Sequence, residues 1–302
     1  MDRIKLVSVI IPSYKRAETL ERAINSVLAQ TYKNIEVIVV DDNIAGDEYS
    51  IALRKIIEKY SGDSRVILVT QPKHINGAEA RNAGLRASHG EWIAYLDDDD
   101  EWLPTKLEKQ MRVLSEHTDC MGVSCLYNEY MNGELVHSCP PYNTDDIAMK
   151  IFSRQVAVFT STVLLNKDKL IEFGAFNNSL KRHQDLQLLL DFTSRNKMTV
   201  LPEYLVKLHL DSGINRPSLE RIVEIKKDFF NAMNPLFQTY SSHNQRLIRN
   251  AHYYEIVFAA IKERNLSIAI KYLFKAGISP TSIKMLMQRF RDRKFVNKTN
   301  CL

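Results

Sequence analysis

Four consecutive aspartates, Asp97 to Asp100, close the apolar run WIAYL and stand directly before Glu101, Trp102, Leu103 and Pro104. Adjacent like charges repel, and aspartate suits neither strand nor helix interiors, so the run calls for a positive partner. Carboxylate oxygens at this density fit a hard divalent cation such as Mg²⁺ or Mn²⁺. Such an ion offsets the repulsion and keeps coordination positions open for phosphate oxygens. An exposed acidic turn without a ligand is the alternative. Two further polar groups close apolar runs: Pro12, Ser13 and Tyr14 after VSVII, and Asp41 and Asp42 after IEVIVV.

The elements that must position these residues follow from periodicity. Strands are predicted at VSVIIPSY from Val7, IEVIVVDD from Ile35, RVILVT from Arg65 and EWIAYLD from Glu91. Helical spacing appears at 17–29, 51–60 and 78–87. Alternating strands and helices argue for a mostly parallel sheet covered on both faces, an α/β fold. Ligands of such sheets bind beyond the carboxyl ends of the strands, so the three polar clusters are expected along one edge. Further on, KLEKQMRVLSEH reads as a helix, and MGVSCLYNEYM with GELVHSC as a hairpin around Asn132-Gly133. VAVFTSTVLLN and MTVLPEYLVKLHL read as strands, with a helix at HQDLQLLLDFTSRN between them. Beyond Pro217 only helices are predicted, at 219–233, 245–264, 266–276 and 281–294.

Composition excludes several classes. The chain has 302 residues, 45% apolar and 25% charged, which is ordinary for a globular protein and argues against disorder. No apolar stretch approaches the length of a membrane span, and the opening MDRIKLVSVIIP lacks a signal-peptide layout. The four cysteines, Cys120, Cys125, Cys139 and Cys301, form no C-x-x-C pair and read as free thiols in a reducing compartment. A cytoplasmic protein is expected. The first glycine is Gly46, so no glycine-rich dinucleotide loop follows the first strand, and no P-loop is present anywhere. The same absence speaks against a sugar nucleotidyltransferase, the competing enzyme class. A non-catalytic binding or scaffold protein on the same fold is the third possibility.

VSVIIPSYKRAETLERAINSVLAQTYKNIEVIVVDD, followed by GAEARNAGLRASHGEWIAYLDDDDEWLPTKLE, resembles the nucleotide-sugar-binding half of family 2 inverting glycosyltransferases of the GT-A fold, the kind found in bacterial polysaccharide synthesis. The match covers about the first 110 residues, with a weaker continuation to about Ser218. The resemblance implies that Pro12 and Tyr14 floor the nucleotide with Arg16 beside it. It implies that Asp42 accepts a hydrogen bond from a uracil imide, which suits a UDP-sugar donor, and that Arg81 reaches the nucleotide or its phosphates. Asp99 becomes the metal ligand for Mn²⁺ or Mg²⁺, Asp97 or Asp98 touches the donor, and Trp102 packs. The family's catalytic base lies in a Glu-Asp pair opening a helix. Here Gln184 replaces the glutamate and Asp185 holds the base position, where a helix dipole favours a carboxylate. His209 resembles a late histidine near the diphosphate or metal; a solvated strand-end histidine is the alternative.

Residues 1–104 are thus expected to form the nucleotide-sugar half, 105–218 the acceptor half and 219–302 an added helical region. The implied acceptor is a hydroxyl of a glycan or lipid-linked saccharide. Between Gln288 and Lys298 five basic residues face one acidic residue, behind an apolar stripe of Ile283, Leu286, Met287 and Phe290. Such a helix could lie on the inner membrane face through residues 281–298, or pack on the body with its charges in solvent. Nucleic-acid binding is not expected, because no aromatic and basic residues interleave beyond this tail.

Overall fold

The computed structural model describes residues 5–210 and 217–277. The first half alternates β1 (Val7–Ser13), α1 (Ala17–Leu28), β2 (Ile35–Asp41), α2 (Glu48–Glu58), β3 (Val66–Thr70), α3 (Gly77–Ala87) and β4 (Trp92–Tyr95). β1 pairs in parallel with β2 and β4, and β2 pairs in parallel with β3. The register sets Ser13 opposite Asp41 and Asp41 opposite Thr70, so three strands finish level. Whatever follows them must emerge at one edge.

The second half adds β5 (Glu101–Trp102), α4 (Lys106–Glu116), β6 (Gly122–Met131), β7 (Glu134–Ser138), α5 (Ile147–Phe152), a 3-10 turn at Thr160–Thr162, β8 (Leu164–Asn166), α6 (Lys167–Glu172), α7 (Gln184–Thr193) and β9 (Met198–His209). All nine strands join one mixed sheet in the order β3-β2-β1-β4-β8-β6-β9-β5, with β7 beside β6. Asn132 and Gly133 turn the predicted hairpin with positive φ at both positions, as a tight two-residue hairpin turn requires.

Strand alternation sorts the apolar residues onto two faces. Ile10, Ile38, Val40, Ile93 and Tyr95 face one core, against α3, α5 and α7; Val9, Ile11, Val37, Val39 and Ala94 face the other, against α1, α4 and Trp102. On the first face Gly84 lets α3 settle onto the sheet. A Cβ there would meet Ile10 Cγ2 at 2.3 Å, so any other residue lifts the helix that carries Arg81.

The predicted strand over Val156–Asn166 is mostly not a strand. Thr160, Ser161 and Thr162 turn as a 3-10 segment, and only Leu164–Asn166 enters the sheet, antiparallel to β4. The Ser161 hydroxyl bonds Asp97 N and the Asp100 carboxylate, which a flat strand would not permit. α8 (Leu219–Ala232), α9 (Asn234–Gln238), α10 (Ser242–Lys262) and α11 (Leu266–Ala276) follow. Phe229 of α8 and Ile248 of α10 are fully buried in the first core, so these helices are built into the body. Among the described residues no helix is long and apolar enough to cross a membrane. The basic stripe expected at 281–298 lies outside the described residues, as does Cys301; Cys120, Cys125 and Cys139 are buried free thiols.

Candidate active site

The level strand ends bring together residues far apart in sequence. Pro12 and Ser13 end β1, and Tyr14, 38% exposed, follows at the edge. Asp41 is consumed locally. Its carboxylate accepts from the Asn43 backbone and side chain at 3.1 and 2.8 Å and from Ser50 Oγ at 2.7 Å, which fixes the turn into α2. Asp42, the next residue, is buried. Gln71 Nε2 donates to its Oδ1 at 2.7 Å, and His74 Nδ1 lies 2.9 Å from its Oδ2. The His74 ring stacks on Tyr14, with centroids 3.9 Å apart and planes 13° apart. Burial pushes the Asp42 carboxyl above its usual range, with His74 acting against the rise. An aromatic platform thus stands beside a buried acceptor, the arrangement a planar heterocycle with an N–H would fit.

The aspartate run divides by alternation. Asp97 and Asp99 reach outward to guanidinium groups: Arg81 Nη2 donates to Asp97 Oδ1 at 2.5 Å, and Arg16 pairs with Asp99. Arg22 donates to the Asp99 backbone carbonyl. Asp98 and Asp100 are buried. Ser161 Oγ donates to Asp100 Oδ2 at 2.6 Å and accepts from Asp97 N at 3.3 Å, while His209 N donates to Asp100 Oδ1 at 3.2 Å. Asp100 therefore latches the end of β4 to the 3-10 turn and to the end of β9. Trp102 packs beneath, its Nε1 donating to the Ser161 carbonyl at 2.8 Å. Burial, with Asp97 and Asp99 adding repulsion, raises the Asp100 carboxyl well above its ordinary value. Burial likewise pushes Asp98 up to about 7, eased by Ser13 and reinforced by Asp99.

Three His, Cys, Asp or Glu side chains do not converge as a closed metal site among the described residues. The donors available nonetheless fit an open one. His209 Nε2 is buried without a hydrogen-bond partner, 3.6 Å from Glu101, and burial with Arg22 nearby lowers the ring's pKa. The imidazole of His209 and the carboxylate of Asp99 are donor types that Mn²⁺ or Mg²⁺ accepts, with phosphate and water completing the shell. The acidic excess of the turn fits the same charge.

Asp185 reaches this edge from the other half of the chain. Asn82 anchors the preceding loop: its Nδ2 donates to the Phe176 carbonyl at 2.8 Å and its Oδ1 accepts from Phe176 N at 3.1 Å. Asn76, the cap of α3, donates to the Asn178 carbonyl at 2.9 Å. The start of α7 is thereby held against the start of α3, where a Cβ on Gly77 would lie 3.0 Å from Arg81 Nη1 and 3.8 Å from Gln184 Oε1. Burial works against the Arg81 charge, yet Asp97, and Asp185 behind it, hold its pKa above the ordinary guanidinium value. Arg81 thus lies between the aspartate run and Asp185.

The Glycosyl transferase family 2 model matches residues 8–174, more than half of the chain. This chain belongs to that family. The family 2 chain is 28% identical over 237 residues to the amylovoran biosynthesis glycosyltransferase AmsB of Erwinia amylovora, covering 76% of this chain and 77% of AmsB. It is 34% identical over 167 residues to the UDP-Glc:alpha-D-GlcNAc-diphosphoundecaprenol beta-1,3-glucosyltransferase WfaP of Escherichia coli, covering 54% of this chain and 62% of WfaP. Its fold matches residues 1–349 of S. aureus TarS in complex with UDP-GlcNAc, with a TM-score of 0.66 at 18% identity over 89% of this chain and 80% of that one. It also matches the mannosyltransferase PcManGT from Pyrobaculum calidifontis in complex with GDP-Man and Mn²⁺, with a TM-score of 0.60 at 17% identity over 97% of this chain and 83% of that one. The fold is GT-A-like, and the protein is a glycosyltransferase.

Several residues at this edge of the family 2 chain escaped the sequence reading. Gln71 and His74 follow β3, and the rule used for strand ends applies to that strand as well; their polarity in QPKHING was the available signal. Ser161 and Arg22 carried no signal, because a serine in an apolar run and an arginine on a helix are common on any surface.

Proposed function

We propose that the protein transfers a glycosyl group from a UDP-sugar to a hydroxyl of a lipid-linked saccharide or glycan, with inversion at the anomeric carbon. The observation that carries this reading is the order of groups along one sheet edge. Tyr14, His74 and Asp42 sit at one end, Arg81, Arg16 and Asp97 to Asp99 in the middle, and Asp185 beyond Arg81. That order matches the order of a base, a diphosphate and a sugar. The names of WfaP, a UDP-glucose enzyme acting on a diphosphoundecaprenol-linked acceptor, and of the TarS complex with UDP-GlcNAc support the donor and acceptor class.

In this reading Tyr14 stacks on the uracil, over the floor begun by Pro12, and Asp42 accepts from its imide. Arg81 and Arg16 face the diphosphate, and Asp97, more accessible than Asp98, takes the donor contact. A Mn²⁺ or Mg²⁺ ion held by Asp99 and His209 would neutralise charge on the departing diphosphate. The Asp185 carboxylate removes the acceptor hydroxyl proton as the oxygen attacks. The bond from the acceptor oxygen to the anomeric carbon forms, the bond to the diphosphate oxygen breaks, and UDP leaves. Residues up to 104 serve the donor and residues 105–218 the acceptor. The test is UDP release with a panel of UDP-glucose, UDP-galactose and UDP-N-acetylglucosamine, with and without a diphosphoundecaprenol-linked sugar. One donor turned over faster with acceptor present is expected; no turnover of any donor contradicts the proposal.

A further inference from the structure

Helix α11 is apolar on both of its faces. Ile268, Ala269, Tyr272, Leu273 and Ala276 turn inward and pack on Leu219 of α8 and on Tyr254, Ile256, Phe258 and Ala260 of α10. The Tyr272 ring meets Tyr253 with centroids 5.5 Å apart, and the Tyr254 hydroxyl donates to the Gly277 carbonyl at 2.8 Å, which ties down the end of the helix. This inner face is enough to hold α11 on the body. Leu266, Ile270 and Phe274 are nevertheless 66%, 54% and 83% exposed. Spaced four residues apart, they lie one above another as a single stripe. A helix resting on a globular body needs one apolar stripe, and its opposite face is ordinarily polar. One exposed leucine is common on any surface, whereas a contiguous stripe that ends in a phenylalanine marks an interaction site.

The charges beside the stripe select the partner. α11 contains no acidic residue, and its two lysines, Lys271 and Lys275, are exposed and stand one position after Ile270 and Phe274, along the flank of the stripe. From Leu266 to the C-terminus eight basic residues stand against Asp292 alone, in a chain with 41 basic and 36 acidic residues overall. A second copy laid on this face about a twofold axis would bring Lys271 and Lys275 toward the same two lysines. Residues 278–302 carry six of those eight cations, so packing that segment on the stripe would crowd like charges. An anionic lipid surface suits both parts. Its acyl region takes the apolar side chains, and its headgroups take the ammonium groups at the ends of long lysine stems.

We infer that α11 is a membrane-docking helix, laying Leu266, Ile270 and Phe274 into an anionic lipid surface with Lys271 and Lys275 on the headgroups. Docking of this kind goes beyond the transfer reaction, because it sets the enzyme where a lipid-linked acceptor resides. No donor-end residue belongs to α11, so lipid binding and UDP binding fail separately.

The test is co-sedimentation of the full chain with vesicles of phosphatidylcholine alone, or of equal parts phosphatidylcholine and phosphatidylglycerol. Wild type is compared with Ile270→Ser/Phe274→Ser and with Lys271→Glu/Lys275→Glu, and Tm, solution mass and UDP affinity are measured beside it. Wild type should bind the phosphatidylglycerol vesicles, release them as salt rises, and leave phosphatidylcholine unbound. The serine pair should weaken vesicle binding at least about tenfold. The glutamate pair should weaken it at least about twentyfold, since each lysine near an anionic surface is worth about a factor of five. Both variants should keep the wild-type Tm and a UDP affinity within about twofold. Wild type that ignores phosphatidylglycerol vesicles, or variants that bind them as wild type does, overturn the inference. A fall in Tm of the serine pair overturns it too, because the stripe is then covered within the chain. So does a wild-type dimer that the serine pair turns into a monomer, because a second copy is then the partner.

Discussion

The two ends of the proposed site are built in different ways. The donor end hangs on β1, β2 and β4: β1 and β2 finish level at Ser13 and Asp41, and β4 ends at Tyr95 opposite Ile10, so Asp97 to Asp99 follow beside the end of β1, near Tyr14 and Asp42. The Asp185 end hangs on no strand. It depends on Asn82 and Asn76 reaching across to 176–178, and on Lys226 of α8 bonding His183 at the start of α7. A regular sheet positions chemistry cheaply and in a pattern visible along the chain. A base at a helix start needs its own scaffold of buried polar contacts.

The sharpest way to break this contrast is at Asp185. Asp185→Asn should lower kcat about a thousandfold, the range general-base removal gives, and leave UDP affinity unchanged. Steady-state kinetics paired with calorimetry checks it, and a matching loss of UDP affinity would mean the two ends are not separable.

Asp98 sharpens the donor side. Its carboxyl is pushed from the usual value up to about 7, mainly by burial. The unfolded chain ionises near pH 4 while the native chain holds its proton. Stability present below about pH 4 is therefore lost as pH rises to about 7 in metal-free protein. Asp98→Asn removes that slope. The variant should exceed wild type by up to about 4 kcal/mol at pH 8 and match it near pH 4. Thermal unfolding at the two pH values measures this, and a pH-independent gap contradicts it.

The smallest effect is expected at His74, which stacks on Tyr14 and bonds Asp42. His74→Ala should weaken UDP binding about threefold to tenfold, the worth of one aromatic contact. Calorimetry with UDP against UDP-free titrations of the variant is sufficient. Unchanged affinity would remove His74 from the nucleotide end.

Legibility followed the same divide. Short apolar runs with polar terminators were enough to find β1 to β4 and their common edge, because parallel strands covered on both faces read as continuous apolar sequence. The strand rule also reached β9 and the hairpin at Asn132-Gly133. It failed at Val156–Asn166, where Thr160, Ser161 and Thr162 follow a hydrogen-bonding demand set by Asp97 and Asp100 some 60 residues earlier. The assignment of Asp185 comes from the family motif, and nothing local points to the contact of Lys226 with His183 beside it. A lysine on an amphipathic helix acquires meaning only when distant segments pack. Gln184, in place of the family's usual glutamate, donates to the Leu180 carbonyl at 2.5 Å and so stays within its own turn.

The central claim is that the strand-end carboxylates bind a nucleoside diphosphate through a divalent cation. Calorimetric titration of the full chain with UDP, with and without Mn²⁺, tests it most directly when Asp99→Ala is run beside wild type. The account predicts wild-type UDP binding that tightens at least about tenfold with Mn²⁺, and an Asp99→Ala chain in which that dependence is gone. UDP affinity that is the same with and without Mn²⁺ in wild type, or no UDP binding at all, would contradict it.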